Sequence, residues 1–267
     1  MSLSRMSIGL AGAVLLLAST GVAVAETVST RPDLMALFKA EGVTGTFVLL
    51  DVAEERMTIV NDKRAERRYT PASTFKIANS LIALDTGAVT DVDEVIPYGG
   101  KPQMVKAWER DMSLREAIAV SNVAVYQEVA RRVGLARMTA MLEQLGYGDC
   151  NPGTVVDRFW LDGPLAISAI EQTRFVAALA TNTLQLSARS QALVREIMPF
   201  EEIGGARLYG KTGWLFGKNP QLGWYTGWVE RDGAIRAFAL NIDMTGSEQA
   251  KLRIPLAKAF LGKLGAL

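Results

Sequence analysis

The sequence is strand-prone at both ends and helical through its middle, and that order restricts the folds open to it. Residues 44–51 (TGTFVLLD) and 56–61 (RMTIVN) are two β-prone runs with a polar connection, the pattern of an antiparallel hairpin. Strand patterns return only at 207–211, 223–229 and 235–242. A short amphipathic helix over 32–40 precedes the first hairpin. A closing helix over 254–264 follows the last strand, with Pro255 tolerated in its first turn. Between them, 73–198 reads mainly as helix. Ser73, Lys76, Ile77, Ser80 and Leu84 share one face of a helix that Gly87 ends. Leu114, Ile118, Ser121, Val125 and Val129 keep helical spacing, with room for a break near Ser121. Leu135, Met138, Leu142 and Leu145 do the same before Gly146, and 168–179 and 187–198 are two further helices. Strands split by a helical block imply a discontinuous α/β domain, 26–72 with 200–267, around a mainly helical one, 73–199.

The chemistry is narrowed by an absence. The chain contains no histidine, which excludes a Ser-His-Asp triad and the usual histidine-rich zinc sites. Ser73 and Lys76 stand three apart at a predicted helix start, on one face, where an amine can reach a hydroxyl. A serine needs a neighbouring base to act as a nucleophile at neutral pH, and here lysine is the natural one. Taken alone, such a tetrad is equally an ordinary helix start. Ser121-Asn122-Val123 and Lys211-Thr212-Gly213 follow it in order. Lysine can hold a substrate anion, threonine can donate to it, and glycine permits close backbone approach. Ser121 could also merely hydrogen-bond the backbone of its own helix. The ordered set, however, marks the penicillin-recognising serine enzymes.

The remaining bounds are permissive. Residues 1–25 have the pattern of a cleavable secretory signal, with Arg5, an apolar run over 8–18, and Ala23-Val24-Ala25 before Glu26. The run is short of the ~20 residues of a membrane span, and no cysteine follows it to carry a lipid, so no membrane anchor is expected. Net charge is +1 with both signs interspersed, so no nucleic-acid partner is expected. Cys150 is the only cysteine, which leaves packing rather than an intrachain disulfide to hold the fold.

The sequence resembles the class D (oxacillinase-type) serine β-lactamases. The matching pieces are Pro71-Ala72-Ser73-Thr74-Phe75-Lys76, Ser121-Asn122-Val123, Tyr147-Gly148-Asp149, Phe159-Trp160-Leu161, Lys211-Thr212-Gly213 and Gly223-Trp224-Tyr225-Thr226-Gly227-Trp228-Val229. The family usually has asparagine where Asp149 stands, in an element regarded as structural. The resemblance implies an α/β (α+β) fold of β-lactamase/transpeptidase type: a central antiparallel sheet flanked by N- and C-terminal helices, plus an inserted all-helical domain. It also implies a periplasmic enzyme that hydrolyses β-lactam antibiotics, as a monomer or homodimer, with no metal and no cofactor beyond CO2 held as a carbamate on Lys76.

By the same resemblance, Ser73 is the nucleophile and the Lys76 carbamate (N6-carboxylysine) the base of both half-reactions. Trp160 would donate its indole N–H to that anion in a pocket shared with Phe75, Val123 and Leu161. Only a neutral amine attacks CO2, and an apolar pocket favours the neutral amine. Backbone N–H groups of Ser73 and Trp214 would form the oxyanion hole. Ser121, assisted by Lys211, would pass a proton to the leaving nitrogen, and Thr212, Gly213 and Arg253 would receive the substrate carboxylate. Trp108 and Phe216 would wall the cleft. Plain packing is the alternative for Trp108, Trp160 and Leu161, and a surface arginine near Glu248 is the alternative for Arg253. Three other functions share parts of the pattern. A penicillin-binding transpeptidase or carboxypeptidase usually has asparagine at the Val123 position. A membrane-bound β-lactam sensor would need transmembrane segments, and a general serine esterase would need a G-x-S-x-G elbow.

Overall fold

The computed structural model describes residues 26–267, so the secretory signal read over 1–25 lies outside the described residues. Seven strands form one sheet: β1 (Thr27–Thr30), β2 (Gly45–Asp51), β3 (Arg56–Val60), β4 (Phe200–Ile203), β5 (Ala206–Leu215), β6 (Gln221–Arg231) and β7 (Ala234–Met244). Their order is β1-β3-β2-β7-β6-β5-β4, antiparallel throughout except where β1 joins β3 in parallel. The chain thus enters the sheet through β1, β2 and β3, leaves it for the helical block, and returns to place β7 beside β2. Gly45–Asp51 pairs with Arg236–Ile242 in unbroken antiparallel register.

The helices are α1 (Met35–Ala40), α2 (Asp62–Glu66), α3 (Lys76–Asp85), α4 (Leu114–Ala119), α5 (Val123–Val133), α6 (Leu135–Leu145), α7 (Ala169–Ala180), α8 (Ala188–Ile197), α9 (Ser247–Ala250) and α10 (Arg253–Lys263). Local chemistry explains most of the starts. Ser113 with Glu116 and Ser168 with Glu171 form reciprocal capping boxes, which satisfy backbone N–H groups that the first turn leaves free. Ser187 caps α8 and Asn122 caps α5.

Two apolar cores result. One joins the inner face of the sheet (Val48, Leu50, Trp228, Ala237, Ala239) to α3, α5 and α7. Although α7 lies in the 73–199 segment, it packs on β2, β6 and β7. The second core covers the outer face with α1 and α10. There Phe260 stacks on Phe47 with centroids 4.7 Å apart and packs at the same 4.7 Å against Phe38.

Two local expectations are corrected, and the break allowed near Ser121 is found. The helix expected from Ser73 begins at Lys76, because Ala72–Phe75 is a 3-10 turn entered through Ala72 at φ 50°. The helical stripe through Ser121 is cut there: α4 stops at Ala119, Ser121 has φ 56°, and α5 starts at Val123. Lys211-Thr212-Gly213 lies inside β5 rather than at a strand end, because pairing with β6 continues to Leu215↔Leu222.

Because Phe260 is fully buried and fastens α10 to the sheet, Phe260→Ala should cost about 3–5 kcal/mol, the range for a large aromatic lost from a core. Urea unfolding of the variant beside the parent protein measures this directly.

Candidate active site

Three breaks in regular structure converge at the open edge of β5. The first is the serine turn. Thr74 Oγ1 donates to Pro71 O (2.7 Å) and accepts from Gln172 Nε2 (2.7 Å), which ties the turn to α7. The second is the Val120–Asn122 link between α4 and α5. A positive φ at Ala72 and at Ser121 is unfavourable for residues with a Cβ, so the surrounding structure must hold both. The third is β5 itself, whose outer edge has no strand partner past Tyr209 because β4 pairs only with Ala206–Tyr209. The chain comes closest to the serine turn at Gly213, where an added Cβ would stand 2.9 Å from Pro71 O and 3.2 Å from the Thr74 methyl. Glycine is needed there for the approach itself.

This convergence produces a continuous polar chain. Lys76 Nζ lies within hydrogen-bonding distance of Ser73 Oγ (3.0 Å), Ser121 O (2.6 Å) and Ser121 Oγ (2.9 Å). Lys211 Nζ reaches the same Ser121 Oγ at 3.0 Å and its neighbour's carbonyl, Thr212 O, at 3.0 Å. Lys76 is wholly buried and Lys211 is 3% exposed. Burial, and then the proximity of Lys211, hold the Lys76 amine well below its usual range. Burial, and then Arg253, bring Lys211 down to about 7. Burial alone lowers Arg253 to about 10. Removing an amine from water disfavours its charged form, and each further cation adds to that effect.

Ten of the expected residues line one cleft of about 550 Å³: Ser73, Trp108, Ser121, Val123, Leu161, Thr212, Gly213, Trp214, Phe216 and Arg253. Lys76, Trp160 and Lys211 lie behind its wall. Among the described residues the one acid on the cleft is Asp162, and it is paired with Arg158 at 2.6 Å. A slightly larger cavity of about 590 Å³ lies at the hairpin ends among Arg195, Arg207 and Arg231, and it contains none of these residues.

Individual positions are well defined. Arg253 is not a surface arginine: it donates to Gly213 O (2.7 Å) and Ala250 O (2.6 Å) and lies 5.6 Å from the Trp214 ring centroid. Glu248 is engaged by Lys251 instead (2.7 Å). Trp108 donates to Val120 O (2.9 Å), and its ring centroid is 5.9 Å from Lys76 Nζ. Trp160 packs at 5.4 Å on Phe75, beside Lys76 in sequence, and its buried indole N–H has no hydrogen-bond partner among the described residues. That is an expensive state for a buried donor. Phe216 stacks on Trp214 at 4.4 Å. Asp149 does not line the cleft; its Oδ1 accepts from Ala166 N (3.0 Å) and Asn151 N (3.3 Å) and pins a turn.

Sequence reasoning missed two positioning contacts. Asn122 donates to Trp108 O (3.1 Å), which fixes the cleft wall to the Ser121 link, and Gln221 accepts from the Trp214 indole at 2.7 Å. A helix-capping asparagine is a signal that could have found Asn122, whereas nothing local distinguishes Gln221.

Comparison with known proteins places this geometry. The family model of the penicillin-binding protein transpeptidase domain matches residues 45–262. β-Lactamase OXA-48 of Klebsiella pneumoniae is 41% identical, over 90% of each chain. β-Lactamase OXA-10 of Pseudomonas aeruginosa is 37% identical over 90% of this chain and 91% of its own. The chain belongs to the class D β-lactamases. A solved class D β-lactamase, FUS-1 (OXA-85) of Fusobacterium nucleatum subsp. polymorphum, superposes with a TM-score of 0.86 at 35% identity, covering 90% of this chain and 100% of that one. The aspartate in place of the family's usual asparagine at 149 keeps an acceptor for Ala166 N, which is what this turn requires.

The buried lysines leave a thermodynamic signature. In the unfolded chain Lys211 titrates near its ordinary 10.5, and in the folded protein near 7. Between these pH values the unfolded state binds more protons, so stability rises with pH across the window. Lys211→Met should flatten that rise, as measured by urea unfolding at a series of pH values from 7 to 10.5. An unchanged slope would show that Lys211 is not desolvated.

Proposed function

We propose that this class D β-lactamase hydrolyses penicillins through an ester on Ser73, acts in the periplasm after removal of residues 1–25, and so confers β-lactam resistance. The single observation that supports it most is the buried chain Ser73 Oγ–Lys76 Nζ–Ser121 Oγ–Lys211 Nζ opening on a cleft. Among the described residues no helix is long and apolar enough to cross a membrane.

The residues around Lys76 suit a carbamate. Burial drives its amine toward the neutral form, as attack on CO2 requires, and the unpartnered Trp160 N–H is a donor in want of an acceptor. Val123 and Leu161 would keep the position dry. Bound there, CO2 would supply a carboxylate base in place of an amine.

The rest is carried by the chain's own groups. Ser73 gives up its proton on the Lys76 side as its Oγ attacks the strained β-lactam carbonyl. Backbone N–H groups of Ser73 and Trp214 stabilise the oxyanion, one such donor being typically worth ~3 kcal/mol. Ser121 Oγ hands a proton to the ring nitrogen as the C–N bond breaks and is resupplied from the Lys76 side with the proton that Ser73 gave up, Lys211 assisting the relay. Arg253 and Thr212 hold the substrate carboxylate next to Gly213. Water entering past Val123 and Leu161 then attacks the ester carbonyl, losing its proton on the Lys76 side, and Ser73 leaves with a proton restored. Val123 and Trp160 also favour hydrolysis over a transpeptidase that stops at the ester.

Rapid turnover of a chromogenic cephalosporin is expected, and a stoichiometric ester without turnover would refute the reading. Lys76→Ala should abolish both half-reactions, whereas Trp160→Phe should mainly slow ester hydrolysis, as followed by pre-steady-state kinetics. Bicarbonate should restore activity lost at mildly acidic pH, and a carbonyl signal from 13C-labelled bicarbonate should appear in the parent protein and vanish in Lys76→Ala. N-terminal sequencing of the exported protein should begin at Glu26.

A further inference from the structure

We propose that Tyr126 is a positioning residue that sets the proton affinity of the Lys76 amine: its ring face lies under the amine, and its hydroxyl ties the lysine's own turn to α5. This deepens the hydrolase reading and rests on it, since that reading makes Lys76 the base. Lys76 Nζ lies over the Tyr126 ring, 5.5 Å from its centroid, and the Trp108 ring centroid is 5.9 Å from the same atom. Both distances fall inside the ~6 Å range in which the negative face of an aromatic ring attracts a cation. Tyr126 lies in the first turn of α5, and the residue just ahead of that helix's cap is Ser121, which meets Lys76 through its hydroxyl and its carbonyl. One short stretch of chain thus supplies both the polar contacts of the amine and the ring beneath it.

The hydroxyl contact has a direction. Ser80 Oγ gives its one proton to Lys76 O at 2.9 Å, so toward Tyr126 Oη at 2.8 Å it accepts and the phenol donates. Asn79 adds a second tie, its Nδ2 donating to Tyr126 O at 3.1 Å. Asn79, Ser80 and Tyr126 are all fully buried, so bulk water does not compete for these bonds. The first turn of α3 is thereby fastened to the ring under its own lysine. From β5, the charged group facing the amine is Lys211, whose proximity adds to burial in holding Lys76 well below its usual range. From α5 it is the Tyr126 phenol, which burial keeps neutral by raising its pKa. The serine turn and the α4–α5 link present only the hydroxyls of Ser73 and Ser121 and the Ser121 carbonyl. The Tyr126 face therefore favours the ammonium form against burial and against Lys211. A protonated amine does not take up CO2, so this ring sets how far the pH can fall before a carbamate at Lys76 is lost.

The test compares Tyr126→Phe with Tyr126→pentafluorophenylalanine, side chains of nearly equal shape whose ring faces carry opposite charge. Protein with 13C at the lysine ε carbons is titrated in CO2-free buffer, the Lys76 signal being the one missing from Lys76→Met protein. From the first variant to the second, the Lys76 midpoint should fall by about one pH unit, a tenfold loss of proton affinity, as for a desolvated cation on a ring. An unmoved or higher midpoint would overturn the proposal. Partly fluorinated phenylalanines at 126, for which the midpoint should descend with each fluorine, decide the matter should the fully fluorinated protein not fold. The hydroxyl tie is tested by Ser80→Ala and Tyr126→Phe, each of which should lower kcat for benzylpenicillin about tenfold at unchanged KM, with no further loss when combined. Additive losses, or none, would refute the tie. With 13C-labelled bicarbonate present, the pH at which the carbamate signal disappears should shift with the amine midpoint. A midpoint that moves as expected in protein showing no carbamate signal would uphold the role of the ring and refute the carbamate, so the two readings fail separately.

Discussion

Two lysine amines share one serine hydroxyl out of reach of water, and the architecture around them is arranged to make that tolerable. Moving an ammonium ion into the interior costs several kcal/mol even after relaxation, and among the described residues the polar partners of both amines are hydroxyls and carbonyls rather than carboxylates. The cost is reduced by surrendering charge: burial drives Lys76 and Lys211 both toward the neutral form, with Lys211 adding to the effect on Lys76 and Arg253 to the effect on Lys211. Neutral amines accept as well as donate, so they can exchange protons through Ser121 rather than simply pair with it. A chain without histidine thus obtains from lysine, by burial, a group that titrates at about 7 in Lys211 and a second amine held well below its usual range in Lys76.

Maintaining that arrangement requires pieces from distant parts of the sequence. Lys76 opens α3, Ser121 sits in the α4–α5 link, Lys211 lies on β5, and Arg253 begins α10. The discontinuous sheet brings these together: β2 from the first segment pairs with β7 from the last, and α10 is stacked through Phe260 on Phe47 of β2. Arg253 is therefore located by a core on the far face of the sheet from the helical block. Strain at Ala72 and Ser121 is stored where this assembly is stiffest, between a 3-10 turn tied to α7 and an α5 start capped by Asn122.

Much of this was legible before any coordinates. Helices with strong caps and regular apolar spacing read clearly from sequence, as did the strands that cross the core. The edge strands β1 and β4 did not, because TVST and FEEI are four residues long and largely exposed, with no alternating pattern to find. The serine, both lysines and the glycine were visible because their chemistry is tied to short spacings. The extent of β5 was hidden because it depends on pairing with β6, a long-range fact. Contacts such as Gln221 to the Trp214 indole are equally invisible, since an ordinary glutamine acquires its role only from the partner the fold gives it.

The sharpest constraint lies at the boundary between dry pocket and wet cleft. The base proposed at Lys76 would work best away from water, yet hydrolysis of the proposed ester would have to admit one water molecule. Adjacent residues divide these demands. Trp160 is fully buried against Phe75, and the next residue, Leu161, lines the cleft. Asn122 is fully buried and ties down Trp108, and the next residue, Val123, also lines the cleft. On both sides the residue that lines the cleft is branched and apolar. Such a side chain excludes bulk water through its surface yet offers no hydrogen bond that would trap a passing molecule. A polar residue at either position would hydrate the amines and raise their proton affinity, because the depression of both lysines comes first from burial. The apolar character of Val123 and Leu161 is thereby coupled to the basicity of groups they do not replace.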